Sequence, residues 1–190
     1  MTNYTDKKKN TLFEIVNDND EIIGLEEMEN IWRDGFRIRT SCVWFFTPKG
    51  DLIFQRRGKN NAVLPDLLDS TVGGKVEPGA TYEETAIVEG IEETGIVIEK
   101  GKLIPLRKVK RDFVDHITNS IIKNFSMQYG YFYPGDIKDL QVEEGKATSF
   151  EVWHIDKILT LSEEEKKLFV KDFVTAPELL DVFKQIKKLI

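Results

Sequence analysis

The run GGKVEPGATYEETAIVEGIEETG, residues 73–95, opens on paired glycines, closes on a glycine and carries six glutamates. Thr81 is a good helix N-cap residue, Glu83 and Glu84 follow where the positive helix end favours acids, and Gly95 is a stop signal. The spacing predicts a helix over 81–94, within which Gly90 costs about 1 kcal/mol relative to alanine. Glu89, Glu92 and Glu93 fall at i, i+3 and i+4 and so share one helix face. Their repulsion costs stability unless a cation offsets it, and Mg²⁺ or Mn²⁺ takes carboxylate oxygens together with substrate phosphates. Ala86, Ile87 and Ile91 supply an opposing apolar face for packing on a sheet. Spacing alone leaves a second reading open, a solvated acidic face. Gly73 and Gly74 allow close backbone passage before the helix, and Gly79 allows a turn into its N-terminus.

Strand-like segments flank this helix. Residues 12–16 and 21–24 read as two short strands joined by the polar turn 17–20, with a short helix over 25–34. Residues 38–46 and 52–56 form a hairpin around Pro48-Lys-Gly-Asp51, and 57–68 read as loop. Further strands are expected at about 70–72, 96–110, 123–134 and 149–155. Ser162 and Glu165 form a capping box at the start of a helix, and 178–189 read as a C-terminal amphipathic helix. No repeat or low-complexity linker interrupts the 190 residues, so a single domain over 1–190 is expected. It carries an N-terminal hairpin extension at about 11–35 and C-terminal helices at about 162–189.

A formal net charge of -6 argues against large nucleic acids as partners, because gripping a phosphate backbone needs a dense basic surface. A nucleotide-sized diphosphate remains compatible, since a bound cation offsets local acidity. The single cysteine, Cys42, excludes an internal disulfide and reads as a core thiol on a strand. Segment 1–10 lacks an apolar signal-peptide stretch, and no run approaches the roughly 20 apolar residues of a membrane helix. The expectation is a cytoplasmic protein without a membrane partner, and a homodimer is compatible with it.

The segment resembles the Nudix box: Gly, five residues, Glu, seven residues, Arg-Glu-aliphatic, any, Glu-Glu, any, Gly-aliphatic. Gly74, Glu89, Glu92, Glu93, Gly95 and Ile96 match in register, and Gly73, Val76, Glu77 and Gly79 match the fuller consensus. Residues 43–57 are similar to the hairpin that precedes the box. Residues 13–24 look like the N-terminal extension of the branch containing type 1 isopentenyl-diphosphate isomerases. The resemblance implies an α/β fold, an α/β/α sandwich around a mixed β-sheet. It further implies hydrolysis of a diphosphate linkage in a nucleoside diphosphate derivative or similar small molecule, with Mg²⁺ or Mn²⁺ as cofactor. Glu89 and Glu93 are then the principal metal ligands, and Glu92 a ligand or the water-activating base.

Two box positions depart from the pattern: Ala80 replaces the first glutamate and Val88 the arginine, which in the family organises the glutamates. Gly90 replaces an aliphatic residue. The alternative reading is therefore a catalytically weak domain that binds a ligand or regulates. Isomerase chemistry is disfavoured, because Gly73 and Lys75 stand where those enzymes carry a catalytic cysteine and a metal-binding histidine. Arg56, Arg57 and Lys75 are candidates for phosphate binding. An additional catalytic glutamate is expected near the last strand, with Glu144 ranked ahead of Glu143 and Glu151. His116 and His154 are isolated, and 112–118 is a loop that could cover the pocket.

Overall fold

The structure, a computed structural model, describes residues 11–190; the polar segment 1–10 lies outside the described residues. Strand β1 (Leu12–Val16) pairs antiparallel with β2 (Ile22–Glu27), and helix α1 (Met28–Asp34) follows. The central sheet has seven strands: β3 (Arg37–Phe46), β4 (Asp51–Arg57), β5 (Leu68–Asp69), β6 (Val72–Lys75), β7 (Ile104–Val114), β8 (Ile121–Phe132) and β9 (Ala147–His154). It is mixed. β3 runs parallel to β8, while the β3–β6, β4–β9 and β7–β8 ladders are antiparallel.

Helix α2 (Tyr82–Thr94) covers one face of this sheet. The other face is covered by the C-terminal segment: α3 (Ile155–Ile158), α4 (Glu163–Lys166), a 3-10 turn at Lys171–Val174 and α5 (Pro177–Lys187). The result is an α/β sandwich, and the strand period of two builds it. Along β3, Cys42, Trp44 and Phe46 point to the C-terminal helices, whereas Val43 and Phe45 point to α2. β4 repeats the division, with Leu52 and Phe54 on one side and Ile53 on the other. Trp44 stands edge-on to Phe173 and Phe183 at 4.9 and 4.8 Å between ring centres. Cys42 is buried in that core, and burial pushes its thiol pKa up.

A third, smaller core joins the first hairpin to the sheet through Phe13, Ile15, Ile31 and Ile38. Asp20 ties the same unit down. Its carboxylate accepts hydrogen bonds from Arg39 Nε at 2.7 Å, Lys108 Nζ at 2.6 Å and the Tyr82 hydroxyl at 3.1 Å.

Two expectations are corrected. Residues 96–103 form no strand; Ile98 is buried beneath Gly90 of α2, and β7 starts only at Ile104. The outer side of α2 carries Val88 and Ile91 exposed, at 53% and 45%, so Ile91 does not pack on the sheet. Among the described residues, no helix is long and apolar enough to cross a membrane.

Candidate functional site

Helix α2 presents its acids because of how it is held. Thr81 accepts from the Glu84 amide while the Glu84 carboxylate accepts from the Thr81 amide, a reciprocal capping box. At the other end Gly95 adopts φ 71° and donates its N–H to the Ile91 carbonyl, the left-handed cap that favours glycine. Between these ends the buried positions are Thr85, Ala86, Gly90, Glu93 and Thr94. A carboxylate therefore lies on the sheet side of the helix.

Glu93 is fully buried. Its Oε2 accepts from Gln55 Nε2 and from the Gly73 amide, each at 3.1 Å. Its Oε1 meets the ammonium of Lys146. The same Nζ lies 3.0 Å from Glu89 Oε2 and 3.6 Å from Glu143 Oε2. Three carboxylates from two separate elements thus converge on one lysine nitrogen. Gly74 makes room for the arrangement, since a β-carbon there would overlap the Glu89 side chain. Burial pushes the Glu93 carboxyl above its ordinary value, with the Lys146 charge drawing it back. Burial also acts against the Lys146 charge, but Glu93 and Glu89 outweigh it and hold the ammonium protonated, well above the usual lysine range.

Lys146 also lines a cavity of about 610 Å³, within the size range of small-molecule sites. Phe13, Met28 and Trp32 of the hairpin–helix unit form its apolar wall, and Arg57 and Lys75 add positive charge. Lys75 Nζ sits 5.6 Å from the centre of the Trp32 ring.

The residues singled out from sequence divide as follows. Glu89 and Glu93 come together. Glu92 is exposed on the helix, outside the Lys146 cluster. Glu144 is exposed in the turn before β9, and the acid there that reaches Lys146 is Glu143. Arg56 donates to Glu151 at 2.6 Å and to the Asp66 carbonyl. Arg57 donates to Asp69 at 2.7 Å and to the Val63 and Leu64 carbonyls, pinning the loop after β4 while facing the cavity. Gly79 takes a left-handed turn ahead of the helix at φ 79°. His116 and His154 are exposed, and Thr118, at the end of the predicted loop, lines the cavity. Val88 is exposed, so the residue at the box-arginine position does not brace the glutamates.

Gln55 and Lys146 did not stand out in the sequence. Gln55 lies on a strand whose other inward residues are apolar, and a polar residue between Phe54 and Arg56 was the available signal. Nothing in the local pattern marks Lys146.

Among the described residues, no group of three His, Cys, Asp or Glu side chains is arranged to hold a metal. The oxygens that surround the ammonium are nevertheless hard carboxylate donors suited to Mg²⁺ or Mn²⁺, and they already converge on a cation. The chemistry of this donor set fits such an ion.

A family model described as the NUDIX domain matches residues 35–173. An uncharacterized Nudix hydrolase of Streptomyces coelicolor is 33% identical over 84 residues, 44% of this chain and 46% of that protein. A Nudix hydrolase of Deinococcus radiodurans is 31% identical over 93 residues, 49% of this chain and 54% of that protein. The matched region thus spans about half the length of these curated relatives. The crystal structure of DR0079 from Deinococcus radiodurans superposes with a TM-score of 0.65 at 20% identity, covering 92% of this chain and 98% of that one; the likeness is one of fold.

Proposed function

As the chain belongs to the NUDIX domain family, we propose that it is a divalent-metal-dependent pyrophosphohydrolase acting on a nucleoside diphosphate derivative or similar small molecule. One observation carries the reading: Glu89, Glu93 and Glu143 converge on a single cation position beside a cavity that also presents Arg57 and Lys75. Mg²⁺ or Mn²⁺, when bound, supplies Lewis-acid polarisation of a phosphoryl oxygen and lowers the pKa of water.

The chain's own residues do the rest. Glu89, Glu93 and Glu143 would hold the ion, and Gln55 with the Gly73 amide fixes the aim of Glu93. Lys75 and Arg57 meet the phosphate charge, with Arg57 held rigid by Asp69. Trp32, Met28 and Phe13 receive the apolar part of the substrate and exclude water from it. Glu92, open to solvent one position before Glu93, is the proposed proton acceptor for the attacking water. The water oxygen bonds to phosphorus, the bridging P–O bond breaks, and two phosphate-bearing products leave. The accessory acid outside the helix is Glu143 rather than Glu144, because Glu143 is the one that reaches the cluster.

We take 1–190 as one unit, supported by the packing of the first hairpin on β3 and of α5 on the central sheet. We place the protein in a reducing cytoplasm, supported by its lone, buried cysteine. The isomerase-like extension is read as a substrate wall and not as a sign of isomerase chemistry, since Gly73 and Lys75 occupy the two diagnostic positions.

The test is release of phosphate or nucleoside monophosphate from a panel of diphosphate compounds with Mg²⁺ or Mn²⁺, wild type against E93Q. Turnover by the wild type that is lost in E93Q is the expected result. A second reading, a ligand-binding domain with little turnover, is favoured by Lys146 standing in the acid cluster and by solvent-exposed Val88 at the arginine position. Ligand binding with no product from any compound would select it.

A further inference from the structure

We infer that Lys146 is a built-in competitor for the divalent cation: its ammonium occupies the ion's position in the metal-free protein, and it must swing into the adjoining cavity before the ion can bind. The inference rests on the metal reading of the site given above and assigns a role to a residue outside the box.

The position of Nζ is the first support. It lies among oxygens of Glu89, Glu93 and Glu143, so one ammonium partly neutralises three carboxylates. Buried acids on the sheet side of a helix repel each other strongly unless a cation sits between them. Lys146 is that cation. An ion entering the same position meets an ammonium at contact distance, so both cannot be there at once.

The second support is the way Lys146 is attached. Its carbonyl accepts from the Gly58 amide at 2.8 Å and from Asn61 Nδ2 at 2.9 Å. Its own amide donates to the Glu143 carbonyl at 3.2 Å, closing a turn through Gly145 at φ 83°. The backbone is therefore held, and the moving part is the four-carbon side chain. Lysine suits this task, being a point charge on a flexible stem without a fixed fork geometry.

The third support is the destination. The residue lines the 610 Å³ cavity as well as the acid cluster. A side chain rotating out of the cluster enters the space in which a diphosphate would lie, and there its charge meets phosphate oxygens. Ion binding and substrate binding then favour each other: the ion displaces the ammonium, and the phosphates accept it.

The experiment is a Mn²⁺ titration of the full chain, followed by the electron paramagnetic resonance signal of free Mn²⁺, for wild type, K146Q and E93Q. The expected result is that K146Q binds Mn²⁺ at least about tenfold more tightly than wild type, while E93Q binds more weakly than wild type. Equal or weaker binding by K146Q overturns the competitor role and leaves the metal reading standing. No Mn²⁺ uptake by either wild type or K146Q overturns the metal reading itself.

Because K146Q leaves three carboxylates without their cation, a cost to folding, a second measurement uses the wild type alone. Lysine labelling by an amine-reactive probe, read by mass spectrometry, is compared with and without saturating Mn²⁺. Labelling of Lys146 is expected to rise at least about fivefold with the ion, as burial and ion pairing are released. Unchanged labelling in protein that has taken up Mn²⁺ overturns the inference.

Discussion

The Glu89 side chain occupies the space that a β-carbon on residue 74 would fill, so the helix carboxylate and the strand glycine beneath it are matched as a pair. Gly74→Ala therefore pushes Glu89 away from Lys146. Displacements near 1 Å in a catalytic group cost rate steeply, and turnover is expected to fall about a hundredfold. Overpacking costs about 1–3 kcal/mol of stability. Steady-state kinetics and denaturant unfolding on one preparation check both; unchanged kinetics would show that Glu89 need not hold this position.

Gln55 is the neutral partner that aims Glu93. Gln55→Leu keeps the strand residue buried and near in size but removes the donor. Outer partners of metal ligands are worth about 10–100-fold in metal affinity or activity, and a loss in that range is expected. Mn²⁺ affinity and kcat/KM measured together decide it.

Trp32 contributes an aromatic face to the cavity and makes no contact with the Lys146 cluster among the ion pairs and hydrogen bonds described above. Trp32→Ala should raise KM about tenfold and leave kcat within about threefold, the signature of lost uniform binding. A fall confined to kcat would place Trp32 in the chemistry instead.

Asp20 joins the first hairpin to β3, β7 and α2. Burial pushes its carboxyl up, but hydrogen bonds from Lys108 and Arg39 win and hold it below the ordinary aspartate value. A depressed carboxyl contributes stability above its unfolded pKa, about 3.9, and loses it as pH falls through the lower folded value. Asp20→Asn should lower stability at neutral pH by about 1–3 kcal/mol and flatten the acid limb below about pH 4. Urea unfolding across pH 2–7 tests the sign.

Gly90 is a weak helix former, yet alanine is not the remedy it would be on an open helix. Its β-carbon would overlap Ile98 Cδ1 and approach Cγ1 to 2.9 Å. The helix-propensity gain of about 1 kcal/mol is outweighed by overpacking of about 1–3 kcal/mol, so Gly90→Ala should be destabilising. Adding Ile98→Val should recover part of the loss.

The helix, its caps and the box register were legible because each rests on local residue types: Thr81, Glu84 and Gly95 act within a few residues of themselves. The strands of the two-sided sheet were legible because Cys42–Phe46 and Leu52–Phe54 are apolar on both faces. The helix faces were harder. Amphipathic logic sends Ile91 inward and glutamates outward, whereas the helix buries Glu93 and exposes Val88 and Ile91. A buried carboxylate with a distant cation defeats a rule built on transfer from water. Ile96, Val97 and Ile98 read as strand because β-branched residues suit strands, but Ile98 is spent filling the gap left by Gly90. Lys146 was illegible for a third reason: its two helix partners, Glu93 and Glu89, lie 53 and 57 residues away along the chain, and no periodicity links them to it.

The parallel pairing of β3 with β8 joins residues 37–46 to residues 123–132. During synthesis, the box helix and the strand beneath it leave the ribosome long before β8 can pair with β3. β9, which follows the Lys146 turn directly, emerges later still. The nascent chain thus presents a β3 edge and a set of acids whose partners have yet to be made. Contacts so distant in sequence are closed slowly, which makes this interval the one in which a chaperone or a protease would meet the chain.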